Sequence, residues 1–383
     1  MNILILGGDG YLGWPMAMHF AARGHDVTVV DNYLRRKIAT ATDSEALIQG
    51  PVLEERVDIF QAIFNKKIAY RAGDCADMSF MNQVVQETSP ETIIHFAEQA
   101  SAPYSMMGQD QATQTLQNNL GATFNLIWAV INHAPKAHIV KLGTMGEYGT
   151  PNIDIEEGWI DIKHNGREQE FLYPRQASSL YHTTKVLDTD LLWFYVRMYG
   201  LCVTDLMQGP VYGIFTDESI TDKRLLPNFH YDDIFGTVVN RFICQAVAGI
   251  PMTVYGKGGQ TRGYINIKDT MTCIDIATHN PAREGELCIF NQFTQQLSVN
   301  EIANKVKEAA DFHGLDAEIV SITNPRIEME DHYYNAKHSG LTNLGLKPTL
   351  MTHDILGNLI DLVMNYRDSI QKQKTMPRVH WNK

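Results

Sequence analysis

The sequence contains no run approaching the roughly 18 consecutive apolar residues that a helical membrane span requires, which excludes an integral helical membrane protein. Cysteine is sparse. Cys75, Cys202, Cys244, Cys273 and Cys288 are scattered with no Cys-x-x-Cys pair, so neither a zinc site nor a dithiol redox motif is expected, and buried reduced thiols are. Positive charge is also short: 32 Lys and Arg stand against 44 Asp and Glu, a formal net charge of −12. Nucleic-acid partners draw on clustered cations and are disfavoured, so an anionic ligand must be met locally. Internal repeats and low-complexity linkers are absent. Met1 is followed almost at once by a strand-like run with no basic leader, and a cytoplasmic chain without a membrane partner is expected.

What is present is the composition of a globular enzyme, 383 residues with 44% hydrophobic content. Short apolar runs at residues 3–6, 27–30, 68–70, 92–96, 138–142 and 202–206 alternate with helical periodicities. That order predicts an α/β fold, a Rossmann-type doubly wound parallel sheet covered on both faces. Beyond residue 207, turn signals at Gly209-Pro210, Gly249-Ile250-Pro251 and Gly256 to Gly259 break the pattern into shorter pieces. Residues 1–207 are therefore expected to form the dinucleotide-binding domain and residues 208–383 mainly a smaller α/β substrate lobe. Segments near 234–250 and 264–282 are expected to return to the first domain, with the ligand site in the cleft between. The amphipathic stretch at 355–363 reads as ordinary packing.

Directly after the first run comes Gly7-Gly8-Asp9-Gly10-Tyr11-Leu12-Gly13, and a helical pattern follows. Glycines at 7, 10 and 13 allow a tight turn, close backbone approach to a pyrophosphate and close helix packing. The second strand ends at Asp31, about 20 residues beyond Gly10, where a carboxylate accepts bonds from an adenosine ribose. Asp31 would repel a ribose 2′-phosphate, so NAD is favoured over NADP. Arg35-Arg36-Lys37 would neutralise that phosphate if folded back, although a solvated charge run is the commoner outcome. Asp74 is placed to face the adenine, and Ala97 and Glu98 lie where the fourth strand delivers the chain to the middle of the cofactor.

Tyr181 and Lys185 lie four apart in a stretch, residues 178–196, that reads as a helix, so they share a face. An ammonium beside a tyrosine hydroxyl stabilises the phenolate and makes the tyrosine a usable base for a substrate hydroxyl. The fifth run ends in Gly143-Thr144 and offers a hydroxyl at the sheet edge where such folds place ligands.

These motifs resemble those of the extended short-chain dehydrogenase/reductase family, and residues 262–269 look like its late motif, in which an arginine meets the nucleotide diphosphate. The runs at 101–106, 140–157, 176–185, 253–264 and 332–337 resemble a branch of that family that makes a sulfonated sugar nucleotide. The resemblance implies recycled NAD, with UDP-glucose and sulfite as substrates, and a homodimer formed through helices near 111–134 and 178–199. It implies Tyr181 as base, Lys185 on the phenolate and the nicotinamide ribose, and Thr144 on the reacting oxygen. Dehydratases of the family follow that threonine with Asp-Glu. Here Met145-Gly146 stand in their place, so His182 and Glu147 are candidates for moving the elimination protons, although a carboxylate at 147 could instead fix a backbone turn. The implied cofactor set adds Asn32, Arg35, Cys75, Asn118 and Val211 to the residues above. The implied substrate set comprises Thr144, Tyr181, Gln208, Arg241, Tyr255, Arg262 and Arg326, arginine suiting a diphosphate because its fork bonds two oxygens. Plant members of the branch carry an arginine after Glu-Gln, whereas Glu98-Gln99 is followed here by Ala100, and Arg175 and His182 are possible substitutes as anion partner. A second reading keeps the fold and makes the chain a UDP-sugar 4-epimerase, or a dehydratase using another nucleophile.

Overall fold

The computed structural model describes residues 1–326 and 332–381. In chain order its strands are β1 (Asn2–Leu6), β2 (Asp26–Asp31), β3 (Ile68–Ala72), β4 (Thr92–His95), β5 (His138–Thr144), β6 (Trp159–His164), β7 (Arg167–Leu172), β8 (Cys202–Gln208), β9 (Val211–Tyr212), β10 (Met252–Tyr255), β11 (Thr261–Asn266), β12 (Leu287–Gln292), β13 (Gln295–Ser298) and β14 (Ile319–Ile322). The helices are α1 (Gly13–Ala22), α2 (Leu34–Ala41), α3 (Leu53–Phe64), α4 (Met78–Thr88), α5 (Ala102–Ser105), α6 (Gln109–His133), α7 (Leu180–Tyr199), α8 (Val238–Ala248), α9 (Ile267–His279), α10 (Val299–Phe312), α11 (Gly340–Asn343) and α12 (His353–Met364).

Seven strands pair in the order β12-β8-β5-β4-β1-β2-β3, all in parallel. The strands are mostly apolar because helices cover both faces. Met81 and Val85 of α4, Leu126 and Val130 of α6 and Leu192 and Val196 of α7 bury one face. Trp14 and Phe20 of α1, Phe60 of α3 and Met271 and Ile274 of α9 bury the other. The chain moves outward from β1 through β2 to β3, then returns to lay β4 on the opposite side of β1. That reversal opens a crevice beyond the carboxyl ends of β1 and β4, the place where doubly wound sheets bind ligands.

The second core joins Phe242 and Ile243 of α8, Ile302 and Val306 of α10 and Leu359 and Ile360 of α12, so the stretch at 355–363 serves packing. Two placements differ from expectation. Residues 234–250 do not return to the sheet, because the apolar face of α8 is satisfied by α10 and α12. The segment that does add to the sheet is β12, which pairs with the outer edge of β8. No described helix is long and apolar enough to cross a membrane.

Candidate functional site

A cavity of about 330 Å³ lies beyond β1, β4 and β5. Its floor is the glycine turn. Gly7 has φ +92°, and a Cβ there would come within 2.8 Å of the Phe96 carbonyl carbon, while a Cβ on Gly13 would collide with the carbonyl oxygen of Gly7. No side chain caps α1; Pro15 has no N–H and the Trp14 and Met16 N–H groups go to the Gly10 and Leu12 carbonyls, which leaves the Gly13 N–H at the helix start for a ligand. Gly7, Asp9, Gly10, Tyr11, Leu12 and Gly13 all line this cavity, as do Asp31, Asn32, Arg35, Asp74, Cys75, Ala97, Asn118 and Val211.

Their roles divide once bonds are counted. Asp31 accepts N–H groups from Asp9 at 2.8 Å and Tyr33 at 2.7 Å, and burial, then Asp9, pushes its carboxyl up to about 6. The Asp9 carboxylate itself is taken by Arg36, at 2.6 and 2.8 Å, and by the buried Arg56, so it turns to protein rather than to a ligand. The arginine run is thus not a solvated face: Arg36 also bonds the Pro51 carbonyl at 2.7 Å, and Arg35 stacks over Phe235 at 4.5 Å. Lys37 alone of the three is exposed. Asn118 leans on Asn119, and Asn119, absent from the expected set, takes the Gln99 N–H at 2.8 Å and bonds Thr184 at 3.0 Å, tying the loop after β4 to α7.

A second cavity of about 370 Å³ adjoins the first, and Arg35, Ala100, Thr144, Tyr181 and Phe235 line both. Its walls carry cations and aromatics. Arg241 stacks over Tyr255 at 4.0 Å and bonds the Thr253 carbonyl at 2.9 Å. Arg262 donates to the Thr261 carbonyl at 2.8 Å and to His332 Nε2 at 2.9 Å. Arg326 lies over Trp381 at 5.3 Å. Trp381 and Phe235 were not foreseen, since no local pattern marks an aromatic that reaches a site from a distant segment. Gln208 differs in place: it lines the first cavity, not the second.

Thr144 ends β5, and Tyr181 sits in the first turn of α7, which Ser179 caps through the His182 N–H. Lys185 follows one turn later, its Nζ 2.7 Å from a Glu98 oxygen and 2.7 Å from the Leu142 carbonyl. The expectation that Lys185 lowers the Tyr181 pKa is not met here: burial, and then Glu98, pushes the tyrosine hydroxyl up. Desolvation of the buried hydroxyl comes first, and the ammonium that would offset it is already matched by Glu98.

His182 bonds Ser179 Oγ at 3.0 Å through Nδ1 and rests its other nitrogen on Gly146, where a Cβ would strike it. Burial, then Arg262 and Arg326, holds its pKa down at about 3. Glu147 corrects the expectation of a proton-moving group. Its side chain is fully buried, lines neither cavity, and accepts from Lys141 at 3.3 Å and the Thr144 N–H at 3.2 Å. Burial pushes its carboxyl up, against Lys141 and Arg175. Arg175 likewise is not an anion partner, because it points into the same network, 3.5 Å from Glu147.

The sequence model of the NAD dependent epimerase/dehydratase family matches residues 3–291. The chain belongs to this family. A chloroplastic UDP-sulfoquinovose synthase of Spinacia oleracea is 45% identical across 100% of this chain and 79% of that protein. A UDP-sulfoquinovose synthase of Sulfolobus acidocaldarius is 42% identical across 100% of this chain and 98% of its own. Among solved structures, a UDP-glucose 4-epimerase of Thermotoga maritima with UDP-glucose covers 97% of this chain and 100% of its own at a TM-score of 0.68 and 21% identity. One of Bifidobacterium longum in complex with NAD+ and UDP covers 98% and 100% at 0.70 and 20%. At those identities the likeness is one of fold.

NAD is the cofactor of this epimerase/dehydratase family member, and the first cavity suits it. The uncapped start of α1 is where a pyrophosphate would lie and Asp31 where a ribose would, and the Glu98–Lys185 pair stands with Thr144 and Tyr181 in the lining of the same cavity.

Proposed function

We propose that the protein is a UDP-sulfoquinovose synthase, which makes UDP-6-sulfo-6-deoxyglucose from UDP-glucose and sulfite. Full-length identity of 45% and 42% to two such synthases supports the reading. The observation that carries it is that Thr144 and Tyr181 line both cavities, so a sugar held in one presents its carbon 4 to a cofactor held in the other.

Tyr181 removes the carbon 4 hydroxyl proton while Thr144 hydrogen-bonds the same oxygen. The cofactor that the start of α1, Asp31 and Lys185 would hold in the first cavity would supply a hydride acceptor for carbon 4 that is regenerated within the cycle. With carbon 4 a ketone the carbon 5 proton is acidic, and His182, uncharged in its buried setting, takes it. The proton held by His182 passes to the carbon 6 hydroxyl, which leaves as water and gives an enone; hydrogen sulfite then bonds to carbon 6 through sulfur, and its proton is delivered to carbon 5. Arg241, Arg262 and Arg326 meet the diphosphate. That occupancy offsets the two cations that depress His182 and so strengthens the base when substrate is present. Gln208 and Asn118 support the cofactor, and Arg35 brings a cation to the junction where Ala100 leaves space.

Incubation with UDP-glucose and NAD, with and without sulfite, followed by mass spectrometry, tests the reading. A sulfite-dependent sugar nucleotide carrying a sulfonate in place of a hydroxyl is expected; UDP-galactose in its absence would replace the reading with a 4-epimerase.

The protein acts as a homodimer in this proposal. Leu116 and Phe124 of α6 and Leu187, Phe194, Met198 and Tyr199 of α7 stand exposed on two adjoining helices, an apolar face of the kind that a second copy covers. Sedimentation at the mass of one chain would refute it.

A further inference from the structure

Glu98 follows β4 and lines the cofactor cavity, its side chain 2% exposed and one oxygen 2.7 Å from Lys185 Nζ. We propose that Glu98 is a positioning residue that takes up the charge of Lys185 and thereby keeps the Tyr181 hydroxyl protonated until ligands fill the two cavities. The inference rests on the reading of Tyr181 as the base. An ammonium stabilises a phenolate only as far as a nearer anion leaves its field uncancelled, and in a dry site a carboxylate at hydrogen-bonding distance cancels most of it.

The surrounding charges leave this pair in control. On the β4 side, His95 lies 3.4 Å from the other Glu98 oxygen, and burial holds its pKa near 4, so it stays neutral. From β5 and the turn after it come Lys141 and Glu147, and from β8 comes Asp205, which meets Lys141 at 3.1 Å. With Arg175, 3.5 Å from Glu147, they make two cations against two carboxylates. Asp188, on α7 itself, has its carboxyl pushed well up by burial and then by Glu98. Changing residue 98 therefore alters the balance at Lys185 and Tyr181 without unpairing the Lys141 cluster. Both partners carry the mark of a true ion pair: against the pull of burial, Lys185 holds the Glu98 carboxyl down and Glu98 holds the Lys185 ammonium up.

The test uses full-length protein with carbon-13-labelled tyrosine, the Tyr181 ring resonance being identified by its loss in Tyr181→Phe. Titration of Glu98→Gln should bring the Tyr181 ionisation down by roughly 1 to 3 pH units relative to wild type, while Glu98→Asp, which keeps the charge, stays near wild type. An unchanged titration in Glu98→Gln, including no ionisation in either protein, overturns the proposal. Should Glu98→Gln not fold, Glu98→Ala carries the same comparison. Turnover decides the underlying reading separately: activity retained by Tyr181→Phe removes Tyr181 as base, whereas an inactive Tyr181→Phe beside an unmoved titration removes only the role of Glu98.

Discussion

The imidazole of His182 rests on the α-carbon of Gly146, in space that any side chain at 146 would occupy. A missing Cβ on the turn after β5 and a histidine in the first turn of α7 are thus one feature. The exchange is coherent with the replacement of Asp-Glu by Met145-Gly146: Met145 joins the core at the first position, and the space of a side chain at the second holds a histidine.

Gly146→Ala should therefore displace His182. Overpacking of this kind costs about 1 to 3 kcal/mol of stability, and the loss of a positioned proton acceptor costs about 100-fold or more in rate. Exchange of the carbon 5 proton with solvent, followed by deuterium incorporation, should fall by that factor while transient NADH formation from UDP-glucose persists. Equal loss of both would mean that His182 does not act at carbon 5.

Glu147→Gln should lower stability before it alters any proton transfer. The substitution removes one anion from a buried cluster that contains Lys141 and Arg175, and breaking such a pairing costs about 3 to 5 kcal/mol. Thermal and urea unfolding measure it. Unchanged unfolding with carbon 5 exchange abolished would restore Glu147 as an acid–base group.

Arg262→Gln and Arg326→Gln should each raise KM for UDP-glucose by about 10- to 100-fold, the worth of a charge-assisted bond, with a smaller effect on kcat. Arg175→Gln, whose parent side chain faces Glu147, should leave KM for UDP-glucose within about threefold of wild type. Initial-rate kinetics separate the two outcomes, and a KM unmoved in the first two variants would place the diphosphate elsewhere.

His138, the first residue of β5 and bonded to Thr204 at 2.8 Å, has its pKa held down at about 4 by burial. Its folded value lies below the unfolded one, so the unfolded chain binds the extra proton and stability falls as pH drops from about 6.5 towards 4. His138→Gln keeps a hydrogen-bonding group without the titration. The stability gap between wild type and this variant should therefore close on acidification, by roughly 1.4 kcal/mol per pH unit across that window. A gap independent of pH in urea unfolding would contradict the assignment.

Local pattern carried the fold far. The six apolar runs, the glycine turn with its following helix, and the placement of Thr144, Tyr181 and Lys185 depend on neighbours within a few residues, and periodicity reports those directly. Partners distant in sequence do not register there. Nothing near Glu147 announces Lys141 and Arg175 as its neighbours, and nothing near Arg36 announces that Asp9 will claim it. The destination of α8 was hidden for the same reason, since an amphipathic helix shows that it has a buried face but not which core receives it. Glu98 did leave a signal, a carboxylate three residues beyond a buried strand that ends at the first cavity.

The place of β12 matters also for how the protein is made. Strand β8 is buried along most of its length, and among the described residues its outer edge is paired by β12, some 80 residues later in the chain. At roughly 5 to 20 residues per second, a nascent chain exposes that sticky edge for about 4 to 16 seconds after β8 has left the ribosome. Until β12 is synthesised, the growing polypeptide offers any neighbour a ready template for strand addition, and slowing translation between residues 208 and 287 should raise the share of product lost to aggregation.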